Sequence, residues 1–213
     1  MRQRSFLFIA SFLCVGSFAS AGPITYDVTV NTSSISGTAG SLDFNFNPGP
    51  LVTQAASLQI LSFSGDGTLA GSPTLTGGVA GALPATLTFD NGSGFNDYFE
   101  GFTFGSTLSF DVSLYGPALS SPDGVSTSGS TFAFSMFSDS AGTISVLTSD
   151  TIDGFAFTVD VNLDGTTTVS DFSSQTVVEP AGSSVPEPST FVLMGTAMAF
   201  TVTFRRFKLG VQR

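Results

Sequence analysis

The chain has no histidine and no tryptophan, and its one cysteine is Cys14. Between Arg4 and Arg205 it also has no lysine and no arginine. A nucleophilic serine needs a neighbouring base, and electrophilic catalysis usually relies on Lys, Arg or His, so most enzyme classes lose their working parts over this long segment. Carboxylate pairs of the glycoside-hydrolase type are what is left, with Asp97, Glu100 and Asp111 as candidates. Asp97 and Glu100 lie in F-N-D-Y-F-E-G, which reads equally well as a turn and strand entry with exposed charges. The expectation is therefore that the protein is not an enzyme. Nucleic acid is excluded as a partner, because phosphate binding needs the cations this segment lacks.

What is present is acid. All 16 acidic residues lie between Asp27 and Glu187, while the 6 basic ones sit at the two ends, for a formal net charge of −10. A segment so purely anionic is kept soluble and attracts divalent cations. With 213 residues and 41% apolar side chains, the chain has material for one core-bearing domain plus appendages.

Both ends are apolar. The N-terminus reads M-R-Q-R, then S-F-L-F-I-A-S-F-L-C-V-G-S-F, then A-S-A before Gly22. A charged start, an apolar stretch and small residues at the cleavage positions predict a secretory signal peptide over 1–21. Cys14 falls inside it, and Ser11-Phe12-Leu13 lacks the upstream leucine of a lipobox, so neither a lipid anchor nor a disulfide is expected. At the other end, Pro186-Glu187-Pro188 precedes the uncharged run Ser189–Phe204, which meets Arg205, Arg206 and Lys208. A helix over 189–204 rises roughly 24 Å, slightly short of a hydrocarbon core, and spans with thinning or snorkelling. The basic cluster just beyond it predicts a cytoplasmic tail and an exported acidic domain.

These end features resemble the PEP-CTERM sorting signal of Gram-negative bacteria. The resemblance covers Val185 to the end: Pro186, Glu187 and Pro188 correspond to the motif, 189–204 to the transmembrane helix, and Arg205 and Arg206 to the basic stop. It implies export by the Sec machinery, a transient inner-membrane intermediate, and cutting near the motif by exosortase, a membrane-embedded transpeptidase. Delivery to the cell surface or to an extracellular exopolysaccharide matrix would follow. A permanently anchored surface protein of the same topology is the alternative. The body is also similar to a group of PEP-CTERM proteins carrying patterns such as Y-D-V-T-V-N-T, L-D-F-N-F-N-P-G-P, F-N-D-Y-F and F-T-F-G-S-T-L-S-F-D-V, a likeness that brings no activity with it.

Between the ends, apolar residues alternate: Tyr26/Val28/Val30, Leu42/Phe44/Phe46, Leu108/Phe110/Val112/Leu114, Phe132/Phe134/Met136 and Phe155/Phe157/Val159/Val161/Leu163. A period of two sends one face of each segment to a core and the other to water. Turn chemistry separates the runs at N-P-G-P (47–50), G-D-G (65–67), D-N-G-S-G (90–94), Y-G-P (115–117) and S-P-D-G (121–124). About eight to ten short antiparallel strands predict an all-β, jelly-roll-like β-sandwich over 22–178, with a barrel as the alternative. Residues 179–185 read as a linker and 186–213 as the sorting segment.

One stretch carries two incompatible readings. In D-V-N-L-D-G-T-T-T-V-S-D, the residues Asp160, Asn162, Asp164, Thr166 and Asp171 fall at the ligand positions of a calcium loop, with Gly165 at the sharp turn. The same stretch reads better as a hairpin turning at Asp164-Gly165. That turn pairs Leu163 with Thr166, Val161 with Thr168 and Phe157 with Phe172. A helix after the loop is missing from S-S-Q-T-V-V-E-P, so no cofactor is expected unless calcium binds there. A lectin-like, polysaccharide-binding role is a further alternative, although the flat, polar-handled rings that suit sugars are reduced to Tyr26, Tyr98 and Tyr115.

Overall fold

The computed structural model describes residues 22–182. Pro186-Glu187-Pro188, the 189–204 run, Arg205, Arg206, Lys208 and the leader all lie outside the described residues. The alternating segments named above become β1 (Ile24–Asn31), β2 (Ala39–Pro48), β9 (Thr107–Tyr115), β10 (Ser130–Phe137) and β11 (Phe155–Val161), the last stopping short of an exposed Leu163, and β3 (Ser57–Gly65), β7 (Leu87–Asp90) and β8 (Asp97–Thr103) join them. Three further strands are only two or three residues long, namely β4 (Thr68–Leu69), β5 (Thr74–Thr76) and β6 (Val79–Ala80). They occupy a Gly-rich stretch whose side chains show no alternation to detect. β12 (Thr167–Asp171) and β13 (Thr176–Pro180) complete the set, and a single helical turn α1 (Pro117–Ser120) follows β9.

The strands form two antiparallel sheets. One has six strands in the order β13-β1-β9-β3-β7-β6; the other has seven, with β12-β11-β10-β2-β8-β4 in line and β5 also paired to β8. The chain passes between sheets at eight connections, β1–β2, β2–β3, β3–β4, β5–β6, β7–β8, β8–β9, β9–β10 and β12–β13, so most pairings are non-local. Inward side chains from both sheets merge into one core. At its centre Phe44, Phe110, Phe134 and Phe157 meet at ring-centroid separations of 4.9 to 6.4 Å. The edge-to-face contacts among them add to the area they bury.

The 155–171 stretch folds as a hairpin, in a register one residue away from the expected one. Val161 pairs with Thr167, Val159 with Val169 and Phe157 with Asp171. The expected two-residue turn is a three-residue loop instead: Gly165 N donates to the Asn162 carbonyl at 3.1 Å and Asn162 N to the Thr166 carbonyl at 2.9 Å. Gly165 takes φ +82, the left-handed position that closes a type I turn with a bulge. The slip has a packing reason, since a one-residue shift exchanges the two faces of a strand. In the observed register Val169 packs against the core and Thr168 is exposed.

Candidate functional site

β2 reads A-G-S-L-D-F-N-F-N-P, and its period of two sends Leu42, Phe44 and Phe46 inward. Asp43 and Asn45 are thereby left on the outer face of the seven-stranded sheet. β8 behaves likewise, burying Tyr98, Glu100 and Phe102 and turning Asp97 out. In the β2–β8 register Asn45 stands opposite Asp97 and Asp43 opposite Phe99, which makes the two aspartates diagonal neighbours on one face. Asn45 Nδ2 donates to Asp43 Oδ1 at 2.7 Å.

The Asp43 and Asp97 carboxyls are diagonal neighbours on a largely buried face, and two carboxylates so placed repel unless one of them holds a proton. Burial, then the bond to Asp97 and the repulsion from it, push the Asp43 carboxyl up to about 8, against the opposing pull of the Asn45 amide. Asp97 is raised as well, chiefly by burial, with the bond to Asp43 pulling it down. Asp43 is the proton holder in this pair. Two oxygens on the same spot, Asn45 Oδ1 and Asp97 Oδ1, are buried without a donor from any amide or hydroxyl.

The structure separates the carboxylates that composition had grouped. Glu100 is inside the core, 2% exposed, accepting from Gly71 N at 2.8 Å and from the Tyr98 hydroxyl. The same hydroxyl accepts from Leu83 N at 3.0 Å. Burial, then the bond to Glu100, raises the Tyr98 phenol well above its ordinary value. This pair fastens the 70–84 stretch to β8. Asp111 lies on β9 opposite Asp27, on the outer face of the other sheet. Asp97, Glu100 and Asp111 therefore sit on three different surfaces and cannot flank one glycosidic bond.

The 160–171 residues are likewise spread out. Asp160 accepts from the Thr131 hydroxyl at 2.5 Å, and Asp164 Oδ1 accepts from Thr166 N at 3.0 Å and its hydroxyl at 2.6 Å. Asn162 Nδ2 donates to the Thr166 and Thr168 hydroxyls at 3.0 and 2.9 Å, and Asp171 accepts from Ser173 N at 2.9 Å. Asp160 pairs with Thr168 and Asp171 with Phe157, three rungs apart and on opposite faces of the sheet. Among the described residues no group of three or more His, Cys, Asp or Glu converges. Nearby, Leu147, Thr148, Ser149, Asp171, Phe172, Ser173, Ser174 and Gln175 line an open groove of about 510 Å³.

Alternation alone placed Asp43 on an outer face, but only the pairing of β2 with β8 brings it to Asp97. No local pattern announces that pairing across some fifty intervening residues.

Residues 184–206 match the family model of the PEP-CTERM protein-sorting motif. The chain carries a PEP-CTERM sorting motif. No curated protein and no solved structure matches it. The motif marks an exported protein processed by exosortase, with membrane-associated processing directed toward the cell surface. Among the described residues no helix is long and apolar enough to cross a membrane, and the 189–204 run lies outside them.

Proposed function

We propose that this is a non-enzymatic surface or extracellular-matrix protein, exported by the Sec route and released by exosortase near Pro186-Glu187-Pro188. The observation that carries the proposal is the PEP-CTERM motif at 184–206, placed behind a two-sheet domain that holds no lysine, arginine or histidine. The carboxylates of that domain support the non-catalytic part. Glu100 is consumed in fastening a loop, Asp111 faces away from it, and Asp164 and Asp171 cap turns. In this reading the 189–204 helix is a transient anchor and the working molecule is the acidic sandwich.

Intact-mass measurement of the protein from its native host, on membranes and extracellular material separately, tests the proposal. A species beginning near Gly22 and ending close to 186–188 outside the membrane is the expected result. A species retaining Arg205 and Arg206, found only in membranes, overturns release and leaves the permanently anchored form.

A second reading, a polysaccharide-binding module, is favoured by the open groove at 147–149 and 171–175. It offers one ring, Phe172, among hydroxyl, amide and carboxylate groups, the mixture that sugar contacts use. Retarded migration of the processed protein in gels containing matrix glycans, abolished by Phe172→Ala, is the expected behaviour; unchanged migration across the panel removes this reading.

A further inference from the structure

The outer face at β2 and β8 holds an oxygen cluster that neither the sorting motif nor the structural role uses. Its members are the Asp43 and Asp97 carboxyls and the side-chain oxygen of Asn45. Asn45 is 9% exposed, its Nδ2 is committed to Asp43, and its Oδ1 is buried with no partner beside an equally unpartnered Asp97 Oδ1. Two acceptor atoms left bare at one spot are an unmet demand for positive charge or for donors. The sequence supplies no side-chain cation to meet it, since Lys, Arg and His are absent from 5–204.

We propose that the Asp43 and Asp97 carboxylates and Asn45 Oδ1 form a binding site for a hard divalent cation of the calcium class. All three donors are oxygens, as such ions require, and water completes the shell from the solvent side of the half-buried aspartates. The surroundings add no competing charge. β10 presents Ser135 opposite Asp43 and Ala133 opposite Asn45, β8 adds Phe99, and β5 sets Thr76 opposite Asp97. The next acid on this face, Asp160, is engaged with Thr131. The site is distinct from the 160–171 loop and needs no third acid.

Calcium chloride added to the full-length chain in calorimetry is the test. The expected result at pH 8 is a clear rise in Tm that Asp43→Asn and Asp97→Asn each abolish and that Asp164→Ala leaves intact. Isothermal titration of calcium into the unsubstituted chain, with saturable binding of about one ion expected, is a readout that needs no variant should Asp43→Asn fail to fold. No rise in the unsubstituted protein overturns the proposal. So does a rise that survives both aspartate substitutions, a rise that Asp164→Ala removes, or the absence of saturable binding in the titration.

Discussion

The two outer faces of the sandwich each set two aspartates against each other, with opposite consequences. On the six-stranded sheet, Asp27 and Asp111 stand directly across β1 and β9, with Asp27 exposed and Asp111 half-buried. On the seven-stranded sheet, Asp43 and Asp97 are diagonal neighbours on a face where Ser41, Ala133, Asn45, Ser135 and Thr158 are all buried. Water screens the first pair, so two negative charges coexist at small cost. The second pair is half-buried, and desolvation raises both carboxyls, Asp43 most, so that a proton is kept instead. Exposure, more than spacing, decides whether two acids form a charged patch or a shared-proton site.

The largest expected effect comes from carrying this comparison inward. Glu100→Ala removes the acceptor of the Tyr98 hydroxyl and of Gly71 N–H inside the core. An orphaned buried donor costs about 3 kcal/mol, a drop of roughly 6–12 °C in Tm at ~2–4 °C per kcal/mol for a chain of this size. Glu100→Gln keeps an acceptor and should recover most of the loss; equal losses would show that the pair does not hold the 70–84 stretch.

Next comes Asp43→Asn, which leaves a donor for Asp97 and removes the titrating group. Asp43 is raised to about 8 from an unfolded value of 3.8, so the folded protein binds more protons than the unfolded chain between those limits. Stability from this group is complete below about pH 4 and lost as pH climbs through about 8. The substituted protein, with calcium chelated, should be more stable than the parent at pH 8 and no different at pH 4. Urea titrations at the two pH values check this, and an unchanged difference between them would put the proton elsewhere. Exposed turn acids act in the opposite sense. Asp123, Asp150 and Asp164 are held low, the first two chiefly by backbone N–H donors and Asp164 first by the Thr166 hydroxyl, so their contribution is present above about pH 4 and disappears in stronger acid.

How much of this was legible depends on distance along the chain. Period-two segments such as Leu42/Phe44/Phe46 and Leu108/Phe110/Val112/Leu114 declared both strand and inward face, because the alternation is itself the consequence of a one-sided core. Turn chemistry at 47–50, 90–94 and 115–117 falls where β2, β7 and β9 end. β4, β5 and β6 left no such trace, being two or three residues long and held mainly by pairing to β8 and β7, with Leu69 and Val79 as their contacts to the core. The Asp43–Asp97 contact was invisible for a related reason, since it depends on which strands pair. The hairpin erred by one residue because Asp-Gly suits both a two-residue turn and a bulged loop, and only the packing of Val169 chooses.

That choice matters to the comparison, since it decides which β12 side chains join the outer face. Gly165 at φ +82 closes the loop, and a Cβ there would lie 2.9 Å from the Leu119 carbonyl oxygen and from Pro122 Cγ. Gly165→Ala should therefore cost about 1–2 kcal/mol through strain and crowding. Weakened amide protection confined at first to β11 and β12 is the expected pattern in hydrogen exchange. Uniform protection would mean that the turn does not set the register.

The smallest effect returns to the solvated pair. Like charges directly opposite in a ladder are destabilising, so Asp27→Asn should stabilise by no more than a few tenths of a kcal/mol at low salt. Near 1 M salt the screening length falls to about 3 Å and the gain should vanish. Asp43→Asn provides the contrast under the same conditions, because its cost arises from desolvation and salt cannot screen it. If both gains fell together with salt, the seven-stranded face would be as wet as the other, and the shared proton would lose its physical cause.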